Sequence, residues 1–165
     1  MHRCFLIPEI VDLICYHIPE DYHWSTSLVC LARTCRAFHE QALKHLWYEL
    51  ESLVPLIKCM PADLWNERHG QLKFVRLILT SDWLRFRVHA RRVRKFGGVR
   101  MLTRYGGGDE DWQALNLAAG GQALLPNIQS LTWDWPLSSE NLPSIHLLMG
   151  QKSPPSTSKK CKRPI

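Results

Sequence analysis

What the chain does not contain narrows its function before any motif is considered. Its longest uncharged stretch, Trp112 to Trp133, is interrupted by Gly120, Gly121, Pro126 and several amides, so it offers no membrane span. The six cysteines have no disulfide-framework spacing, and Pro8, Glu9 and Asp12 break the first apolar run too early for a secretory leader. A reducing compartment, the cytoplasm and/or the nucleus, is the expectation. Gly106-Gly107-Gly108 lacks the following Lys-Ser/Thr that a phosphate-binding loop needs and reads as a turn. No Ser or Cys sits in a motif with a base and an orienting acid, and the eight His are scattered, so no catalytic residues are expected. Cys30, Cys35 and His39 tempt a zinc reading, but Cys30 and Cys35 point well apart on a helix and no second ligand pair follows. Buried structural cysteine is the expectation, with no metal and no cofactor.

What is present favours a folded chain. Hydrophobic residues make up 45% of the 165, ample for a core, and the seven Trp should serve as packing anchors or contact surface. The net charge of +6 is unevenly placed. Residues 151–165 hold Lys152, Lys159, Lys160, Lys162 and Arg163 without an acid, which leaves 16 basic against 15 acidic groups in the rest. Within that near-neutral body, 1–50 has four Lys/Arg against six Asp/Glu, whereas 85–104 has eight basic residues and no acid. A mildly acidic module and a basic stripe point to different surfaces with different tasks.

From Leu6 to Trp47 the apolar residues fall at Leu6, Ile10, Leu13 and Ile14, then at Leu28, Leu31, Cys35, Phe38, Ala42 and Leu46. Steps of three and four give successive helices one wet and one dry side. Pro8 suits a first helical turn and Glu9 complements its dipole, so a first helix is expected over Pro8 to His17, ended by Pro19, Glu20 and Asp21. Ser25 and Thr26 are N-cap candidates for a second helix reaching Ala32, and a third is expected from Cys35 to Leu50. Three short helices cannot cover all their own apolar surface. Something else must complete the core.

A Leu/Pro opening with an acid and an aliphatic behind it (Leu6, Pro8, Glu9, Ile10), the Leu-x-x-Leu-Ala turn (Leu28, Leu31, Ala32), Cys35-Arg36-x-Phe38 and the closing Leu46-Trp47 together resemble an F-box. The resemblance implies a small helical module that docks on the Skp-type adaptor of a cullin ubiquitin ligase. It implies an adaptor-binding set of Leu6, Pro8, Glu9, Ile10, Ile14, Leu28, Leu31, Cys35, Phe38, Leu46 and Trp47. Periodicity alone reads the same set as intramolecular core, and part of it can serve both purposes.

Beyond residue 50 a short helix over Leu53 to Cys59, closed by Pro61, is expected, followed by a β-friendly run from Leu72 to Leu79. Thr80-Ser81 should then cap a helix continuing to Lys95, with Trp83, Phe86, Ala90 and Val93 on one face and Gly97-Gly98 at its end. Its basic residues Arg85, Arg87, Arg91, Arg92, Arg94 and Lys95 form a candidate patch for phosphates or for acidic protein. The absence of stacking aromatics in a recognised nucleic-acid fold disfavours nucleic acid and leaves a solvated face or a patch that meets acidic protein. Val99 to Thr103 reads as a strand, Glu110 to Leu117 as a helix, and Leu124 to Trp133 has the aliphatic spacing of a leucine-rich-type repeat, with a second starting at Asn141 to Met149. Ser81-Asp82-Trp83, Ala90-Arg91-Arg92-Val93-Arg94 and Leu125-Pro126-Asn127 are similar to fungal F-box proteins in which the F-box precedes a leucine-rich-repeat array. In that family the array holds the substrate, and here no more than one or two repeats are expected.

The expected fold is therefore mainly α: an F-box module at 1–50, linker helices, short strands and the basic helix at 51–105, an incomplete repeat-like α/β region at 106–150, and a disordered basic tail at 151–165 whose Lys159-Lys160-Cys161-Lys162-Arg163 fits an import signal. One or two uncapped repeats should be poorly stabilised, so the part after residue 105 is expected to be loosely ordered. The expected function is a non-catalytic adaptor that brings an unknown protein substrate to a cullin-based ubiquitin ligase. The alternatives are a small basic binder of nucleic acid or acidic protein, and a truncated relative that occupies the adaptor without delivering a client.

Overall fold

The computed structural model describes residues 3–18, 23–68, 71–97, 109–132 and 147–148. The break expected at Pro19 to Asp21, the Val99 to Thr103 strand, the Gly106-Gly107-Gly108 turn, most of the second repeat and the tail at 151–165 lie outside these residues. The architecture is mainly α, and the chain divides into two compact units, Met1–Glu49 and Leu50–Ile165.

The first unit opens with a 3-10 turn, Arg3–Leu6, followed by α1 (Pro8–His17), α2 (Trp24–Ala32) and α3 (Arg36–Leu46). Pro8 stands at the start of α1, where its missing N–H costs nothing, with Glu9 in the first turn. Val11 and Cys15 from α1, Leu28 and Ala32 from α2, and Phe38 and Ala42 from α3 form the buried core, closed at its edges by Phe5, Ile18, Trp24, Leu31, Cys35 and Leu46. Each helix supplies one i, i+4 pair, which is why three short helices share a single seam. The Phe5 ring packs tilted against Phe38 with ring centroids 5.4 Å apart, tying the opening turn to α3.

Two helix boundaries differ from the expectation. α2 begins at Trp24, ahead of Ser25 and Thr26, because Trp24 packs on the core and draws its turn into the helix. α3 starts after Cys35, which is extended (φ −159°, ψ 167°), and ends at Leu46 rather than Leu50, since Glu49–Leu50 forms the short strand β1.

In the second unit, α4 (Val54–Ile57) is shorter than expected, and the Ser52 hydroxyl accepts the Val54 N–H at 3.0 Å. The β-friendly run yields a strand only at its start. β2 (Trp65–Arg68) pairs antiparallel with β3 (Gln71–Phe74), Trp65 opposite Phe74, and the chain leaves the ladder after Val75, whose N–H still donates to the Leu64 carbonyl at 2.9 Å. The physical reason is Arg76: it donates to Asp63 Oδ2 at 2.8 Å, to both Asp82 oxygens at 2.7 and 3.1 Å, and to the Leu77 carbonyl at 3.0 Å. That charge cluster fixes a bend where alternation would have continued a strand.

A 3-10 turn, Thr80–Asp82, leads into α5 (Trp83–Ala90), whose Trp83, Phe86 and Ala90 are buried together with Val93 beyond it. α5 stops at Ala90 rather than Lys95. The N–H groups of Arg92 and Val93 close three-residue turns on His89 and Ala90, and Lys95–Phe96 becomes β4. Gly97 is no helix end; its N–H donates to the Leu50 carbonyl at 2.9 Å. The sheet runs β1-β4-β5, with β5 (Ser130–Leu131) parallel to β4, so segments on either side of residue 105 meet in one sheet.

Between these strands in sequence, α6 (Asp109–Ala119) ends on Gly120 and Gly121, whose φ values of 59° and 77° are accessible to glycine at little cost. Leu115, Ala119, Leu124, Leu125, Leu131, Leu147 and Leu148 are buried. The Leu124 and Leu125 N–H groups donate to Leu147 and Leu148, and the Asn127 amide donates to the Arg91 carbonyl at 2.8 Å. Of the part expected to be loosely ordered after residue 105, the described residues carry buried leucines and backbone bonds to Arg94 and Phe96.

Candidate functional site

α1 has more apolar surface than its core contact uses. At about 100° per residue, Val11 and Cys15 lie on one side, while Ile10, Ile14 and Leu13 occupy the next sector round the helix. Ile7, just before the first turn, continues that stripe. These four side chains keep 46% (Ile7), 37% (Ile10), 59% (Leu13) and 37% (Ile14) of their surface in contact with solvent. A contiguous exposed apolar stripe is a feature that interaction surfaces share.

The helix carrying the stripe is anchored by a polar clasp. Asp12 accepts from Lys44 Nζ at 2.9 and 3.1 Å and from His45 Nε2 at 2.8 Å, joining α1 to the end of α3. Burial alone would raise the Asp12 carboxyl, but the hydrogen bonds from Lys44 and His45 outweigh it and hold the group below the usual carboxylate range. Because the pair is part-exposed, screening limits its contribution to about 1 kcal/mol or less. Tyr16 stands edge-on to His45, ring centroids 6.2 Å apart. The His39 Nδ1–H donates to the Ala32 carbonyl at 3.0 Å, fixing the α2–α3 corner.

The expected adaptor-binding residues separate into two groups. Pro8, Glu9, Ile10 and Ile14 are exposed. Leu28 and Phe38 are buried in the three-helix core, and Trp47 is buried as well, so these three are not a surface that a partner could touch without rearrangement. Leu31, Cys35 and Leu46 are half-buried against the core edge, and the side chain of Leu6 lies outside the described residues. Ile7 and Leu13, absent from the expected set, belong to the exposed stripe. Their signal was legible: the apolar positions of the first helix span too wide an arc for a single core seam.

The basic patch also divides. Arg85 and Arg87 project from α5 and Arg91 follows it, all exposed; Arg92 and Arg94 are half-buried, and Lys95 is on β4. Arg94 Nη1 donates to the Arg91 and Val93 carbonyls at 2.7 and 3.3 Å, stabilising the turn rather than a ligand. The six cations are thus not one helical face.

Of the zinc candidates, Cys30 is exposed rather than buried and Cys35 is half-buried; among the described residues the fully buried cysteine is Cys15, and burial pushes its thiol up. Among the described residues no group of three or more His, Cys, Asp or Glu could hold a metal ion, and no helix is long and apolar enough to cross a membrane. No family model, curated protein or solved structure matches this chain.

Proposed function

We propose that the first unit is an F-box-like docking module through which the chain joins a Skp-type adaptor and a cullin ubiquitin ligase, carrying a protein substrate on its later residues. The observation that supports this reading is the exposed apolar stripe of Ile7, Ile10, Leu13 and Ile14 on a helix whose other side is committed to the core. Such a stripe suits a helix-in-groove contact, in which apolar side chains of one helix fill a slot on a partner. In this reading Leu28, Phe38 and Trp47 hold the module in shape and the α1 stripe makes the contact.

The chain performs no bond chemistry in this role. It raises the effective concentration of a substrate lysine near the charged conjugating enzyme, the usual gain from tethering. Its place of work is the cytoplasm or the nucleus. The leucine-rich-repeat reading of the second unit draws support from the parallel β4–β5 pairing and from the Asn127 amide bond to Arg91, features of stacked strand-turn units.

The test is co-expression with a Skp-type adaptor, reading stoichiometry by light scattering after size exclusion. A one-to-one complex that is lost with Leu13→Lys, and weakened when Leu6 and Pro8 are replaced by Ala, is the expected result. Co-purification indifferent to all three changes defeats the assignment. A stable complex that ubiquitylates no client identifies the chain as an occupant of the adaptor rather than a receptor.

A further inference from the structure

The second unit has an unusual helix at its surface. From Trp83 to Gly97 the sequence contains six Arg/Lys and no acid. α5 buries Trp83, Phe86 and Ala90 on one side, yet its opposite side is also apolar at the centre: Leu84 and Val88, one turn apart, are 70% and 54% exposed. Arg91 extends that row by another turn, and Arg85 and Arg87 flank it at the i+1 and i+3 positions from Leu84. The approach to the helix adds Leu77 and Leu79, both exposed. Beside the Arg87 flank, a small half-open cleft has Trp83, Phe86, Arg87, Ala119, Gln122 and Leu124 in its lining.

Arg85, Arg87 and Arg91 make no ion pair among the described residues. The Arg87 guanidinium rests 5.9 Å from the Trp83 ring centre. Arg76, by contrast, is fully engaged with Asp63 and Asp82. Three cations without an ion pair among the described residues thus lie around the exposed Leu84–Val88 pair.

We propose that this face of α5 docks an acidic peptide segment of another protein, whose apolar side chains cover Leu84 and Val88 and whose carboxylates meet Arg85, Arg87 and Arg91. Charge complementarity fixes the sign of the partner, since a bidentate guanidinium–carboxylate contact is the natural use of three exposed arginines. The central aliphatic pair fixes its class. Phosphate backbones gain nothing from Leu and Val at the middle of a cationic row, and Arg94, which a phosphate-tracking stripe would use, is turned onto its own backbone. An anionic membrane requires a longer apolar face sunk into the interface, whereas α5 has eight residues and its other side is fixed in the fold. The surface lies wholly within the second unit, so it stands independently of the F-box reading.

The experiment titrates the full chain into a fluorescein-labelled peptide carrying Leu and Phe at helical spacing among Glu and Asp, followed by anisotropy. Saturable binding that weakens with added salt is expected. Leu84→Ser with Val88→Ser should weaken it about tenfold, the loss of two covered aliphatic side chains. Arg85→Glu, Arg87→Glu and Arg91→Glu together should abolish it and confer binding to the same peptide with Lys in place of its acids. Arg85→Gln with Arg91→Gln, a milder pair, should weaken binding while leaving the circular dichroism spectrum unchanged. Equal affinity for a peptide with Ser in place of Leu and Phe overturns the proposal, as does absence of binding. So does tighter binding to single-stranded oligonucleotide or phosphatidylserine vesicles that the same changes remove.

Discussion

Two leucines of similar chemistry, Leu13 on α1 and Leu28 on α2, should respond to alanine in opposite ways. Each substitution removes three carbons, and alanine is the better helix former, so backbone preference does not confuse the comparison. Fully burying those carbons is worth about 2.4 kcal/mol at 0.8 kcal/mol per methylene. Leu13 remains 59% exposed, so only about two-fifths of that gain, about 1 kcal/mol, is realised within the chain. The other 1.4 kcal/mol or so would be gained if the proposed partner covered the side chain, and corresponds to about a tenfold change in Kd. Leu28 is wholly buried, and its truncation also leaves a cavity, so about 3 kcal/mol of stability should be lost. Calorimetric titration against a Skp-type adaptor and urea unfolding of the same preparations provide both readings. Leu13→Ala should weaken binding about tenfold at a small cost in stability, and Leu28→Ala should lower the urea midpoint markedly while its folded fraction binds as the parent does. Unchanged affinity in Leu13→Ala, measured on a chain that does bind, would refute the assignment of the stripe as the contact.

The Asp12 clasp should make stability pH-dependent in a definite direction. Its carboxyl titrates lower in the folded chain than the ordinary 3.8, so its contribution is present above that value and lost as pH falls through the folded-state value. Melting temperatures of Asp12→Ala and the parent should therefore differ at neutral pH and converge in strong acid. Asp82→Asn should lower the melting temperature more than Asp63→Asn, because both partner Arg76 but the Asp82 carboxylate is buried, also accepts the Leu79 N–H at 2.8 Å, and is held low first by its bond to Arg76. Equal shifts would show that the buried carboxylate has no special weight. Hydrogen exchange at the Leu124, Leu125, Ser130 and Thr132 amides should be slow, since each donates to a backbone carbonyl, and rapid exchange there would restore the loosely ordered picture.

The three helices of the first unit were legible because apolar residues repeat at helical spacing, although on α1 the positions expected to be dry, Ile10, Leu13 and Ile14, are exposed and Val11 and Cys15 make the core instead. The width of the apolar arc on α1 was legible too, but the distinction between dry and wet parts of it was not, since Ile14 and Cys15 differ in burial only through what α2 and α3 place beside them. β2 was missed because Trp65-Asn66-Glu67-Arg68 has no aliphatic alternation; it is a strand through its pairing with Gln71–Phe74. The end of α5 was missed for a related reason. Helix-compatible residues continue to Lys95, and only the long-range bonds of Arg94 and Phe96 to residues 129–132 convert them to strand. Of the basic patch, charge was visible in the sequence, whereas the turning of Arg94 onto its own backbone was not.

The pairing of Lys95–Phe96 with Ser130–Leu131 also bears on how the chain is made. A nascent chain emerging from the ribosome can complete the three-helix seam as soon as Leu46 is free, because every residue of that core lies at or before it. The second unit must wait until Leu131 has been synthesised, and until then β4 presents a bare edge with its backbone groups unsatisfied. A chain stalled in that interval should be the form that chaperones hold and that aggregates first.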